Sequence, residues 1–152
     1  MARGDFTLFE EFANQLGSEN HDFEVGQDVI KLGIIDDTSG EPSAAQATPT
    51  WATYVGDEVT DTGGYTANGI TLANQSFDEV AGVATFDADN ITIAQDPAGF
   101  INAQWGILYN DTNGTDMAIG YLDIGGGVDV SERAGQVAIN WHASGILTVT
   151  IT

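Results

Sequence analysis

The sequence has no cysteine and almost no basic residues. Its 152 residues include 3 Lys or Arg against 23 Asp or Glu, so the formal net charge at pH 7 is -20. Without cysteine there is no disulfide framework, no zinc–thiolate site and no thiol nucleophile. Because phosphate binding depends on lysine and arginine, the composition excludes a nucleic acid partner. The same argument about charge sign excludes an anionic membrane surface.

Long apolar runs are also missing. No stretch approaches the roughly 20 apolar residues that a membrane span requires, and the polar segment that follows Met1 does not resemble a secretory signal. A chain of this length predicts one domain over residues 1–152, which can bury about 70% of its extended surface without a metal or a disulfide. Hydrophobic residues make up 42% of the chain and recur along it, which is typical of a folded protein.

Recognisable catalytic motifs are absent from the sequence. No nucleophile elbow, zinc-protease pattern or phosphate-binding loop occurs, and neither His21 nor His142 lies in a catalytic motif. With 23 carboxylates some acids must lie close together, so a paired-carboxylate glycosidase stays open as an alternative that no particular pair singles out. We therefore expect a protein that is not an enzyme and has no cofactor.

The N-terminal segment has an apolar stripe that predicts a helix over 6–16. The stripe consists of Phe6, Phe9, Ala13 and Leu16. Thr7 and Glu10 have the spacing of a capping box, and Gly17 offers a stop. Two interpretations follow: a helix packed on its own sheet, or an arm that contacts a neighbouring subunit.

The rest of the chain is typical of β-structure. Alternating or apolar runs predict strands at 29–35, 70–72, 83–86, 91–93, 103–109, 117–121, 137–141 and 147–151. Residues 36–49 predict a long loop, 51–55 one helical turn, 87–90 a hairpin turn and 110–114 a second turn. The prediction is an all-β, antiparallel sandwich of about eight strands with one short N-terminal helix; a jelly roll is one connectivity that fits.

Two of these turns are rich in the oxygen ligands that calcium prefers. The candidate ligands are Asp87, Asp89 and Asn90 in the first turn, and Asp111, Asn113 and Asp116 in the second. Neither turn has the pattern of an EF-hand, and the same residues dominate ordinary hairpin turns for conformational reasons. Calcium is therefore an alternative to turn chemistry at both places.

The one-sided charge predicts self-repulsion in the folded state that salt should screen. Such a composition suits a saline environment, or a protein that must stay soluble at high local density. We expect the melting temperature to rise with NaCl.

A series of motifs runs along nearly the whole chain in a recognisable order. These are the N-terminal helix, the strand at 29–32, the Ala/Thr-rich loop, Gly64-Tyr65-Thr66 with Gly69, the turn at 108–112, the run at 119–125, and Asn140-Trp141 before 145–147. Their order resembles that of small β-sandwich structural proteins of tailed bacteriophages, among which are capsid cement or decoration proteins.

This resemblance implies a passive role on the outer surface of the phage head, in the virion. The chain would bind the major capsid protein, bridge neighbouring subunits against the pressure of packaged DNA, and self-associate into dimers or trimers. Contacts would be apolar, backbone-mediated, or made by acids to basic residues of the shell. Candidate interface residues are Phe6, Phe9, Phe12, Trp51 and Tyr54, with core packing as the alternative for each.

Two other functions stay open. A tail tube or fibre-associated protein would use the same kind of domain stacked in rings or trimers. A calcium-dependent carbohydrate-binding module would stack sugar rings on exposed Trp51, Trp105 or Trp141. Strand alternation places Trp105 and Trp141 among apolar neighbours and predicts that both are buried.

Overall fold

The computed structural model describes residues 4–61 and 63–151. Within them the strands are β1 (Phe6–Leu8), β2 (Ile30–Ile35), β3 (Ile70–Thr71), β4 (Ser76–Val80), β5 (Val83–Asp87), β6 (Ile91–Ile93), β7 (Trp105–Asn110), β8 (Ala118–Asp123), β9 (Val137–Ile139) and β10 (Leu147–Thr150). Two short helices, α1 (Phe12–Gly17) and α2 (Trp51–Tyr54), complete the regular structure, and α2 runs on into a 3-10 turn at Val55–Asp57.

The strands form three antiparallel sheets. The main sheet has the order β1-β8-β7-β2-β3, the second sheet has the order β10-β5-β4, and the short sheet pairs β6 with β9. This arrangement confirms the predicted all-β, sandwich-like fold class. All eight predicted strands are present, and β1 and β4 are additional to them.

The centre of the main sheet is covered on both faces. Every residue of β7 and of β8 is buried, and β2 is buried except for the partly exposed Lys31. Strands buried on both faces are apolar along their length rather than alternating, which agrees with Ile34 and Ile35 standing next to each other in β2.

One face of the main sheet packs against the second and short sheets. This large core joins buried side chains from seven strands of the three sheets, among them Ile30, Leu32 and Ile34 of β2, Phe86 of β5, Ile93 of β6, Val137 and Ile139 of β9, and Leu147 of β10. Burial of this apolar surface is the dominant favourable contribution to folding.

The opposite face carries a layer rich in aromatic residues, here called the aromatic layer. Its members are Phe9, Ile35, Trp51, Tyr54, Trp105, Ile107, Tyr109, Ala118 and Tyr121. Trp51 stacks on Tyr109 with ring centroids 5.0 Å apart and planes 3° apart. The Trp51 ring also lies against Gly33, where a Cβ atom would overlap it, so the glycine makes room for the tryptophan.

The loop at 36–49 contains no helix or strand, as predicted, and it packs on this layer through Ala44. Backbone hydrogen bonds hold it at three points: Asp36 N–H donates to the Asp57 carbonyl at 3.0 Å, Glu10 N–H donates to the Ala44 carbonyl at 2.9 Å, and Ala118 N–H donates to the Pro49 carbonyl at 2.9 Å. α2 follows it directly, as the predicted helical turn at 51–55.

The predicted helix over 6–16 is wrong in its first half. Phe6–Leu8 is a strand, β1, which pairs with β8 so that Phe6 lies opposite Leu122 and Leu8 opposite Gly120. Strand β8 supplies hydrogen-bond partners for the backbone N–H and C=O groups of these residues, which in a helix would pair within the segment. Helix α1 begins only at Phe12. Its predicted end at Gly17 is confirmed.

The predicted hairpin around 87–90 is also wrong. β5 pairs with β4 and β10, whereas β6 pairs with β9, so this turn leads from one sheet to another. The hairpin partner of β5 is β4, joined to it through Ala81 and Gly82, which both have positive φ angles of 54° and 84°. Two such angles are typical of a type I′ turn, for which Asn-Gly is the usual signal and Ala-Gly is not.

No helix in the described ranges is long and apolar enough to cross a membrane.

Candidate functional site

An apolar groove of about 320 Å³ lies beside the main and short sheets. Strands β1, β8 and β9 and the segment at 140–146 form its walls. Its lining is Gly4, Phe6, Leu122, Ile124, Val137, Ala138, Ile139, Asn140, Trp141, His142, Gly145 and Ile146. A groove of this size with a few polar groups at its rim is the usual form of a binding site.

Trp141 lies in the groove wall and is held from two sides. Its indole Nε1–H donates to the Asp89 carbonyl at 3.0 Å, and its backbone N–H donates to Asn90 Oδ1 at 2.9 Å. The side chain packs against the large core but is only partly buried. The prediction that Trp141 is buried is therefore wrong, because β9 ends at Ile139 and the tryptophan lies beyond it, just before the turn at 142–145.

The acidic turn at 87–90 lies directly next to the groove. Its residues share a second, shallow hollow with Trp141 and His142. Asp87 Oδ1 accepts a hydrogen bond from the Ala88 N–H at 2.9 Å, and Asp89 Oδ2 accepts one from Asn74 Nδ2 at 2.6 Å. The groove and this acidic hollow are therefore neighbours that share Trp141 and His142.

The residues of the first calcium candidate mainly hold the turn together. Asp87, Asp89 and Asn90 each have a side-chain oxygen that accepts a hydrogen bond from a neighbouring N–H group. In the second turn Asp111 Oδ2 forms an ion pair with Lys31 Nζ at 2.9 Å.

The other two residues of the second candidate lie in the same turn. Asn113 Oδ1 accepts hydrogen bonds from the Thr115 N–H and hydroxyl. Burial raises the pKa of Asp116, and the nearby Asp111 raises it further. Across residues 4–61 and 63–151, no three acidic or histidine side chains come together in a way that could hold a metal ion.

Four of the five candidate interface residues lie in the core. Phe9, Trp51 and Tyr54 belong to the aromatic layer, and Phe12 belongs to the large core. They are at most 9% exposed, so in this conformation their side chains have almost no surface for a partner, and the core-packing alternative describes them. Phe6 differs, because it is partly exposed and lines the groove.

A buried polar network ties the segment before β2 to the end of β7. His21 Nε2 lies 2.8 Å from Gln15 Oε1, and Asn110 Nδ2 donates to the Asn20 carbonyl at 2.9 Å and to Asp28 Oδ2 at 2.6 Å. Burial lowers the pKa of His21 to about 4, and the negative charge of Asp28 opposes that shift in part. His21 is thus a neutral, structural histidine at neutral pH.

Two buried or partly buried acids have similar structural roles. The Glu132 side chain is fully buried, and its oxygens accept N–H hydrogen bonds from Gly64 at 3.0 Å and from Phe100 at 3.4 Å. Glu58 Oε1 accepts from the Tyr65 hydroxyl and the Asn68 N–H, both at 2.7 Å. Glu132 joins backbone segments that are distant in sequence, whereas Glu58 holds the nearby segment at 65–68, and these hydrogen bonds are a sufficient physical reason for the burial of both carboxylates.

The sequence does not predict the groove, although Trp141, which lies in its wall, is one of the three tryptophans considered for sugar binding. The signal that could have found it is the change at Trp141 from strand alternation to the turn sequence His-Ala-Ser-Gly. The rest of the lining comes from strands that are far apart in the sequence, and only the folded chain brings them together.

Comparisons with protein-family models, with curated proteins and with solved structures found no match to this chain.

Proposed function

We propose that this chain is a non-enzymatic structural protein of a tailed-phage particle, which binds the outside of the head and bridges subunits of the major capsid protein. The observation that carries the proposal is the apolar groove with Phe6 and Trp141 in its wall and an acidic turn on its flank. The resemblance of the motif order to phage structural proteins supplies the biological setting.

The groove fits a partner segment that brings both apolar and basic side chains. An apolar side chain of a capsid subunit would enter between Phe6 and Trp141, and a lysine or arginine beside it would contact Asp87 or Asp89. A chain with a net charge of -20 attracts cationic surfaces and steers their encounter. One such contact is modest, but many copies on one shell multiply it.

The charge also supports a place on the outer surface. The packaged DNA is a dense array of negative charge, and a protein of charge -20 is repelled from it. The described residues offer only Lys31 and Arg133 as cations; Lys31 is paired with Asp111, and Arg133 Nε donates to the Gly99 carbonyl at 2.6 Å.

Quantitative mass spectrometry of purified virions tests the proposal first. We expect about one copy, or a simple fraction such as one third, for each major capsid protein, as symmetry-related binding requires. A few to some tens of copies per particle would favour the tail instead. Absence of the chain from the virion would exclude every virion role.

Binding of purified protein to heads that lack it tests the groove itself. We expect Trp141→Ala to weaken binding at least tenfold, since aromatic anchors in pockets commonly contribute that much or more. The double variant Asp87→Asn, Asp89→Asn should weaken it less and reduce its salt dependence. Val25→Ala, an exposed apolar residue outside the groove lining, is the matched control. Equal binding by all variants would place the contact elsewhere.

The carbohydrate-binding alternative depends on Trp141 alone. Trp51 and Trp105 are 3% and 6% exposed and lie in the aromatic layer, whereas Trp141 is partly exposed beside the acidic turn. A glycan array probed with and without calcium separates the two functions, because sugar binding that Trp141→Ala abolishes would favour this alternative over a capsid contact.

A further inference from the structure

The C-terminal part of the chain differs from the rest in charge. The sequence contains 23 acidic residues, yet none of them, and no lysine or arginine, occurs in residues 134–152. β10 lies in this uncharged segment and forms one edge of the second sheet, next to β5. A strand edge without charge is unusual, because natural proteins commonly protect exposed edges with charged side chains.

The backbone groups of β10 divide between its two sides. Ile151 N–H donates to the Gly82 carbonyl at 2.9 Å, and Val149 lies opposite Ala84 in the ladder with β5. Because successive residues of an antiparallel strand point to opposite sides, Thr148 and Thr150 direct their N–H and C=O groups away from β5. In the described ranges no further strand pairs with that side of β10.

The side chains of this edge are also open. Thr148 and Thr150 are exposed, and Val149 and Ile151 are 39% and 83% exposed. The opposite edge of the same sheet is β4, which carries Asp78 and Glu79. One edge of this sheet is thus protected by charge and the other is not.

We propose that β10 is a self-association surface, on which β10 of a second copy adds in antiparallel orientation about a two-fold axis at Val149. Thr148 of one copy then lies opposite Thr150 of the other, and the two exchange about four backbone hydrogen bonds across the axis. The second sheets of the two copies become one continuous sheet. Valine facing valine and threonine facing threonine are favourable cross-strand pairs.

Charge is the reason to choose a second copy as the occupant. A cationic partner is recognised by carboxylates, and β10 offers none. Two copies of charge -20 repel each other wherever their acidic surfaces meet, so the uncharged edge is where they can approach most closely. A self-complementary, neutral strand matches this requirement.

Sedimentation equilibrium of the purified chain at increasing NaCl tests the proposal, and it does not depend on a role in phage particles. We expect a monomer–dimer equilibrium whose dimer fraction increases between about 50 mM and 1 M NaCl, because salt screens the repulsion between copies. A basic contact surface would show the opposite salt dependence. A chain that stays monomeric at about 1 mM protein and 1 M NaCl overturns the proposal.

Two variants of equal charge locate the contact. Thr150→Asp places a carboxylate opposite Thr148 of the other copy in both pairs, with the two new charges diagonal to each other on one face, and should raise the dimer Kd at least about tenfold. Ser76→Asp, on β4 at the opposite edge, adds the same charge to the same face of the sheet and should change the Kd by less than about threefold. Equal effects of both variants would contradict pairing through β10. Circular dichroism of each variant checks that it is folded.

The absence of cysteine allows a direct geometric test. In the proposed pair the two Val149 residues face each other across the axis, so Val149→Cys should form a disulfide-linked dimer under mild oxidation. Val80→Cys, at a 74% exposed position at the end of β4, is the control for random collision. Dimer formation at least tenfold faster for Val149→Cys supports the pairing, and equal rates overturn it.

Discussion

Two hairpins of this chain lie in very different environments. β7 and β8 pair around the turn at 110–114, and all of their residues are buried. β4 and β5 pair around Ala81 and Gly82, and only Phe86 among their residues is buried. The difference comes from their neighbours: β1 and β2 flank the first hairpin and packed layers cover both of its faces, whereas the second hairpin has β10 on one side and a free edge on the other.

The two hairpins therefore have different roles in the fold. The β7–β8 hairpin holds the large core and the aromatic layer together, so its sequence is restricted by packing on both sides. The β4–β5 hairpin holds β10 in place and leaves strand edges exposed. Stability is thus concentrated in the main sheet, and exposed edges are found in the second sheet.

The largest expected effect is a loss of packing in the buried hairpin. Ile107→Ala removes a side chain with no exposed surface and should lower the free energy of unfolding by about 2 to 5 kcal/mol. Val80→Ala, at a 74% exposed position of the other hairpin, should lower it by less than about 0.5 kcal/mol. Urea unfolding of both variants measures the two values, and similar losses would contradict the contrast between the hairpins.

A second prediction concerns the network at the end of β7. Burial lowers the pKa of His21 to about 4, so between pH 6.5 and 4 the unfolded chain binds a proton that the folded chain does not. Stability should therefore fall as the pH decreases through this window, by at most about 2 to 3 kcal/mol.

Urea unfolding at pH 6.5 and 4.5 measures how far the free energy of unfolding falls in the wild type and in His21→Gln. The difference between the two falls is the contribution of His21. The variant lacks the titrating group, and the carboxylates common to both proteins cancel in the comparison. His142→Gln, which changes an exposed histidine, is the control. Its free energy of unfolding should fall between pH 6.5 and 4.5 by the same amount as that of the wild type. Identical pH profiles for the wild type and His21→Gln would show that His21 is not the group responsible.

A smaller effect is expected at Gly33, which lies in β2 next to β7. A Cβ atom at this position overlaps the Trp51 ring, so Gly33→Ala should cost about 1 to 3 kcal/mol through overpacking of the aromatic layer. In a Trp51→Leu background the same substitution should cost less, because the ring is gone. Thermal unfolding of the four proteins gives this coupling, and strict additivity would mean that Gly33 and Trp51 do not interact.

The smallest effect concerns salt and the exposed hairpin. Raising NaCl from about 50 mM to 1 M screens the repulsion between acids, so the melting temperature should rise by a few degrees. Hydrogen exchange should slow more at β4–β5, which carries Asp78, Glu79 and Asp87, than at the buried β7–β8. A melting temperature that stays constant or falls as NaCl is raised would contradict the interpretation that this composition suits a saline environment.

The β-rich class and the position of most elements follow from the amino-acid sequence alone. Alternation and apolar runs are local properties of the chain, so β2, β7, β8 and β10 were predictable from side-chain periodicity. The turn at 110–114 and the helical turn at Trp51 follow from residue types that favour those backbone conformations. The end of α1 at Gly17 follows for the same reason.

The pairing of the strands and the exposure of the aromatic residues, in contrast, depend on contacts between distant parts of the chain. Phe6–Leu8 has a helical spacing but is a strand because β8 offers it backbone partners. Val83–Asp87 pairs with β4 and β10 rather than with β6, since a period of two identifies a strand and not its neighbour. The groove depends on Phe6, Leu122 and Trp141 meeting from distant parts of the chain. Periodicity is a local property and pairing is not, and for this reason the sequence predicts the elements of this protein better than its surfaces.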